Sequence, residues 1–222
     1  MMSIIEQLRQ LMTLDADMNT SDIEERFEQI AKMLFESFAI QKGEKKYLFK
    51  EIEFYFYNKN HRDIITHPRV SKPLFWYVND FGGIDLNFAS SIERENRINI
   101  KGKKIMKYVL DNSAYFGGIL IRKLENKESG EILIGPLACA ELFRNYDAIG
   151  VDMKSVLPIL VECDNGKIGD IPPKPRINIL RSSQQPEKKV DNLMYLYHEP
   201  YDKEMLYKEF KKFVDKSYRY ER

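Results

Sequence analysis

The chain has 222 residues, enough for one domain with an ample core, and it is rich in aromatic side chains, with 13 Tyr and 13 Phe. Its 35 basic and 34 acidic residues leave a net charge of +1, which excludes a uniformly basic nucleic-acid coat but not a local basic groove. Two cysteines exclude a disulfide framework and fit a reducing cytoplasm; no apolar run approaches the ~20 residues that span a bilayer, and Met1–Glu6 lacks the basic and apolar parts of a signal peptide.

Residues 3–14 carry Ile4, Ile5, Leu8, Leu11 and Met12 at helical spacing, which predicts a short amphipathic helix. A second helix is expected from Ser21, with Glu24 completing a capping box, and its apolar stripe from Ile23 to Phe38 carries it to about residue 39. Gln41 to Lys46 then reads as a polar turn. Beyond it the period falls to two, with strands expected at Tyr47–Tyr57, Phe75–Val78, Ile84–Phe88, Ile119–Leu124 and Ile132–Ile134. Asp80-Phe81-Gly82-Gly83 is a hairpin turn between the second and third of these. Pro136 opens a helix that runs to Phe143. Val156–Val161 and Arg176–Leu180 are further strands, the second preceded by the stiff Pro172-Pro173-Lys174-Pro175 loop. Arg181 to Lys189 reads as a polar loop, and a last helix spans Asp202 to Tyr218. The pattern predicts a single α+β domain with a curved, mainly antiparallel sheet. Residues 1–45 would be a helical N-terminal extension, 47–180 the core and 190–222 a C-terminal segment with a helix.

Two strands place a charge among apolar neighbours. Alternation puts Glu53 on the face of Tyr55 and Tyr57, and Arg122 on the face of Leu120 and Leu124. A lone charge there costs several kcal/mol, so Glu53 and Arg122 are natural partners for each other or for a substrate. The bland alternative is a structural ion pair inside a sheet.

Six blocks between residues 51 and 179 stand in a recognisable order. They are Glu51-Ile52-Glu53-Phe54-Tyr55; Asp63 with His67 and Arg69; Trp76-Tyr77-Val78-Asn79-Asp80-Phe81-Gly82; Leu120-Ile121-Arg122-Lys123-Leu124-Glu125; Gly135-Pro136-Leu137-Ala138-Cys139-Ala140; and Pro175-Arg176-Ile177-Asn178-Ile179. Together they resemble the alkyladenine (3-methyladenine) DNA glycosylases. The resemblance implies that family's fold and hydrolysis of the N-glycosidic bond of alkylated purines in duplex DNA; no cofactor is expected from the sequence. It implies roles as well: Glu53 activates water, Arg122 helps hold it, Tyr55 and His67 sandwich the extruded base, and Phe81 wedges into the duplex. Val70-Ser71-Lys72-Pro73 stands where the family carries Thr-Pro-Arg-Asn, and the second pocket aromatic falls on Val78 or Asn79.

The chemistry is coherent without the family. One carboxylate can activate water and stabilise an oxocarbenium-like sugar, and a base in a pocket wants aromatic faces, which Tyr55, Trp76, Tyr77 and His67 can supply. Arg69 and the lysine cluster Lys101, Lys103, Lys104 and Lys107 are candidate phosphate contacts, with a solvated face as the alternative. His61, His67 and Asp63 lack tight metal-ligand spacing. Two other functions fit the same residues: a binding protein that kept the fold and lost catalysis, or a hydrolase of a small N-glycoside.

Overall fold

The first helix, α1 (Ile4–Leu11), starts at a capping box in which Ser3 and Glu6 satisfy each other's backbone donors. It is shorter than the expected 3–14, because the chain leaves the helix after Met12 and Asp15 then collects the amides of Asp17 and Met18. The second helix, α2 (Thr20–Ser37), begins one residue before Ser21. Its cap is Asn19, whose side chain accepts from the Asp22 amide at 3.0 Å, so the Ser21–Glu24 box is not used. The computed structural model describes residues 2–79, 82–98, 102, 104–144, 157–177, 179, 188, 190 and 202–222.

At Phe38 the chain turns directly from helix into β1 (Phe38–Lys42), and Gly43-Glu44 returns it into the 13-residue β2 (Lys45–Tyr57). The expected polar turn at 41–46 is therefore the tip of a hairpin, and part of the 1–45 segment belongs to the sheet. The remaining elements are β3 (Trp76–Val78), β4 (Ile84–Asn87), β5 (Glu93–Ile98), β6 (Lys104–Val109), β7 (Phe116–Asn126), β8 (Ile132–Ile134), α3 (Pro136–Phe143), β9 (Ile159–Glu162), α4 (Lys203–Val214) and β10 (Arg219–Glu221). One curled sheet orders its strands β3-β4-β7-β2-β1-β9, with β8 on β7 and β10 on β2, and every pair in it is antiparallel. The fold is thus α+β, one domain around a single core. Among the described residues, strands β5 and β6 pair only with each other.

Several expected boundaries move. Arg176 and Ile177 are irregular rather than the start of a strand: Arg176 is buried and tied by its side chain to Asp63 and to the Phe213 carbonyl, which draws the chain away from a ladder. The expected 156–161 strand runs one residue further and begins at Ile159, residue 156 lying outside the described residues. The last helix stops at Val214, and Tyr218 instead hands its carbonyl to Phe54 to start β10. The expected 181–189 loop lies almost wholly outside the described residues.

Register defines two faces, because side chains directly opposite each other in a sheet project the same way. Trp76, Leu86, Ile119 and Phe54 form one row, and it faces the core under α2. There Phe27 stacks on Phe54 at 4.5 Å and on Phe88 at 6.0 Å. Each fully buried Phe stabilises the fold by about 2 to 3 kcal/mol. The opposite face is polar, and it is where the sequence put its awkward charges.

Candidate functional site

The polar face is a grid of strand residues. One row runs Glu53, Leu120, Asp85, Tyr77 across β2, β7, β4 and β3, and the next runs Tyr55, Gly118, Asn87. Gly118 leaves the second row open between Tyr55 and Asn87; a Cβ there would meet the Leu86 carbonyl oxygen at 3.1 Å. Gly117 is a close approach of another kind, since its Cβ would lie 2.2 Å from the Tyr55 carbonyl oxygen.

Arg122 reaches Glu53 because alternation keeps it on the face of Leu120, which stands opposite Glu53; beyond it the sheet is irregular. Glu51 pairs with Lys123 and Ile52 with Ile121, which leaves Arg122 without a partner on β2. This bulge turns Lys123 to the side of Glu51, which it would otherwise face away from. Arg122 Nε donates to Glu53 Oε2 at 2.7 Å, and its Nη2 donates to the Ile177 carbonyl at 2.7 Å. The Tyr55 hydroxyl donates to the other Glu53 oxygen. Glu53 is fully buried, and Arg122 keeps 18% of its side chain exposed. Burial works against the Arg122 cation, but the hydrogen bond and charge of Glu53 outweigh it and hold its pKa above the ordinary value. Burial, then the Glu53 charge, pushes Tyr55 well up, so its hydroxyl keeps the proton it donates.

A roof closes over this pair. The guanidinium of Arg176 lies 4.9 Å from the Tyr55 ring centroid and forks onto Asp63 at 2.6 and 3.4 Å. Both side chains of that ion pair are fully buried. Burial pushes the Asp63 carboxyl up, and Arg176 opposes it. The roof is tied to the C-terminal residues, because Lys174 and Arg219 exchange backbone hydrogen bonds and Arg219 Nε donates to the Pro175 carbonyl.

A second network continues the grid. Arg69 bridges Asp85 at 2.5 Å and the Asn87 side-chain oxygen at 3.2 Å, and it lies 4.4 Å over the Tyr77 ring. Asn79 donates to the second Asp85 oxygen at 3.2 Å. The segment 63–69 is thus pinned at one end by Asp63–Arg176 and at the other by Arg69–Asp85. His67, half-buried, lies between these pins.

The structure therefore brings Glu53, Arg122, Tyr55, Tyr77 and Arg69 onto one face. Trp76 is not among them: it points to the opposite face, donates to the Pro158 carbonyl at 2.9 Å and packs edge-on against Phe143. Alternation puts neighbours Trp76 and Tyr77 on opposite sides, so they cannot both line one pocket. Phe81, Lys101 and Lys103 lie outside the described residues. Lys104 begins β6, and Lys107 lies further along that strand. His61 is buried between Phe213 and Tyr218, and no cluster of three metal-ligating side chains occurs among the described residues. Two surface cavities, of about 330 and 630 Å³, are lined around Tyr207 and around Arg9, and neither borders Glu53.

Asp85, and the pairing of Asp63 with Arg176 from two separate blocks, are the parts of this site that the sequence does not announce. Asp85 stands in Ile84–Phe88 as Glu53 stands in its own strand, a charge among apolar residues, so the same signal was available. Arg176 had no such signal, since Pro175 and Asn178 made its surroundings read as an ordinary strand end.

The site defines a protein with a curled antiparallel sheet that carries a buried, ion-paired polar face. The chain is similar to a viral protein. Uncharacterized protein L759 of Acanthamoeba polyphaga mimivirus is 28% identical over 155 residues, covering 64% of this chain and 68% of that protein. No protein-family model matches the chain, and no solved structure matches it.

Proposed function

We propose that this protein is a monofunctional base-excision glycosylase acting on alkylated purines in duplex DNA. The observation that carries the reading is the convergence of the sequence blocks. Glu53 of the first bonds Arg122 of the fourth, Arg122 bonds Ile177 of the sixth, and Arg176 of the sixth bonds Asp63 of the second. The fifth joins through the Gly135 amide, which donates to the Arg122 carbonyl at 2.9 Å. Blocks spread over more than a hundred residues are thus linked, directly or through one another, to the Glu53–Arg122 pair.

The chemistry follows from that arrangement. Glu53 and the Ile177 carbonyl both accept from the one guanidinium, so a water donating two hydrogen bonds can bridge them. Its oxygen attacks C1′ of the sugar, its proton passes to Glu53, and the C1′–N bond electrons leave with the base. A cationic alkylated base departs neutral, so a second carboxylate acting as general acid is not required. Tyr55, Tyr77 and His67 supply faces for the base.

One observation favours a second reading, a binding protein that kept the fold: Glu53 is fully buried and both its oxygens are already bonded. Release of methylated base from methylated duplex DNA by the purified protein separates the two. The glycosylase reading expects release by the parent and a loss on the order of 10² to 10⁴ in Glu53→Gln; no release by a folded parent leaves the binding protein.

A further inference from the structure

One step along the polar face from Glu53, charged side chains from β2, β7, the roof and β10 converge. Strand β10 sets Glu221 directly opposite Glu51 and Arg219 opposite Glu53, so all four project to the same face. Like charges directly opposite each other on paired strands repel. Three cations hold these two carboxylates together. Lys123 of β7 contacts Glu51 at 2.5 Å and Glu221 at 2.8 Å. Arg219 contacts Glu51 at 3.1 Å and lies 3.6 Å from Glu221. Lys174 of the roof contacts Glu221 at 2.9 Å. Lys174 is held beside Arg219, since the two exchange backbone hydrogen bonds at 2.7 and 3.0 Å.

The two carboxylates differ in accessibility. Glu51 is buried, whereas Glu221 keeps 32% of its side chain exposed. Glu221 is thus an anion lodged at the surface among three cations. The hydrogen bonds of Lys123, then of Lys174, hold its carboxyl down at about 2. Glu51 keeps Lys123 and Arg219 in place whether or not Glu221 is there. With the Glu221 side chain swung into solvent, the three cations face one carboxylate, a local charge of +2. A phosphate supplies the missing negative charge, and its oxygens accept from ammonium and guanidinium groups as the Glu221 oxygens do. Glu51 and Glu53 are two residues apart, so about 7 Å of strand separates this cluster from the Glu53 carboxylate.

We infer that Lys123, Lys174 and Arg219 form a phosphate-binding site, which the Glu221 side chain fills and gives up when a phosphate arrives. The site stands without catalysis. The proposed function supplies one source of phosphate, the backbone of a DNA whose sugar lies at Glu53; free inorganic phosphate is the other.

The test uses the full chain and two probes: inorganic phosphate by isothermal titration calorimetry, and an undamaged, fluorescein-labelled 25-base-pair duplex by fluorescence anisotropy. Glu221→Gln removes the resident anion and keeps its shape. It should bind a probe about tenfold more tightly than the parent, the gain expected where a side chain fills its own site nine-tenths of the time. Adding Lys174→Gln to that variant should cancel most of the gain. For the duplex it should also make the fall of log K with log salt shallower by about 0.9, one phosphate contact. Glu204→Gln controls for net charge: Glu204 is exposed on α4, pairs with Lys208, and its loss should change binding by less than about twofold. The replaced side chains are all partly exposed, and circular dichroism should show the parent fold in each variant. Tightening toward the duplex alone supports the site and makes the DNA backbone its source. Tightening toward inorganic phosphate, with the duplex unaffected, supports it with free phosphate as the source. No tightening toward either probe, or equal tightening in Glu204→Gln, overturns the inference. Phosphate binding controlled by position 221 without base release keeps the site and loses the enzyme; base release with binding indifferent to position 221 does the reverse.

Discussion

Replacing Asp63 with Asn tests the reasoning about the roof most directly. The Asp63–Arg176 pair has both side chains fully buried with a closest contact of 2.6 Å. At an effective dielectric of 20 that separation corresponds to about 6 kcal/mol of attraction, most of it offset by desolvating both ions. Removing the carboxylate charge does not return the desolvation of Arg176, which keeps only neutral acceptors, the Phe213 carbonyl and one amide oxygen at position 63. Breaking a buried pair on one side costs about 3 to 5 kcal/mol, and the surviving carbonyl contact places this variant near 4. In a chain of this length each kcal/mol moves the midpoint by about 2 to 4 °C, so the melting temperature should fall by roughly 10 °C. Urea denaturation should show a lower midpoint at an unchanged slope. The double replacement Asp63→Leu with Arg176→Met should recover most of the loss, because neither charge is then stranded. A single variant within about 1 kcal/mol of the parent, or a double variant as unstable as the two singles summed, would refute the account.

Three further outcomes are expected. Arg122→Lys keeps the charge but gives up the second contact, to Ile177; base release should drop about 10- to 100-fold, the worth of one charge-assisted hydrogen bond, with little change in melting. Gly117→Ala drives a Cβ into the Tyr55 carbonyl and should cost about 3 kcal/mol by urea unfolding; a neutral result would mean that β2 and β7 separate more easily than their register implies. His61 is held neutral, its pKa lowered to about 3 by burial and then by Arg176, Lys216 and Lys212. Because the unfolded chain protonates near 6.5, the stability from this group is complete above that pH and is lost as pH falls toward 3. About 2 kcal/mol should be gone by pH 5. His61→Phe should flatten that slope, and parallel curves for parent and variant would contradict it.

The sequence carried the centre of the site because its signal was local. Glu53 and Arg122 each broke an alternating apolar pattern, and such a break has few solutions other than a partner on the next strand. Asp85 broke its own strand in the same way, and the same reasoning reaches it. The roof was different: Asp63 and Arg176 lie 113 residues apart in irregular segments, where no periodicity marks a face. Trp76 leaves the pocket for a local reason too, since a strand sends it and its neighbour Tyr77 to opposite sides. Among the elements, β1 was hidden because α2 passes into it without a glycine or proline to mark the change. The β5–β6 ribbon was hidden because charges occupy both of its faces, so its period of two has no apolar side.

The strand carrying Glu53 is completed from very distant parts of the chain: Arg122 comes 69 residues after Glu53, and Arg219 comes 168 residues after Glu51. This sets an order of assembly during synthesis. β1, β2 and β7 can zip as soon as residue 126 clears the ribosome, and Glu53 then has its cation. Arg176 emerges about 50 residues later, roughly 3 to 10 s at ordinary elongation rates. For that interval the nascent chain displays a finished floor with no ceiling. Its polar grid is wet, and the edge of β2 that β10 will occupy stands open to other strands. Synonymous changes that slow translation between codons 126 and 219 should therefore lower soluble yield, while the same slowing before codon 45 should not.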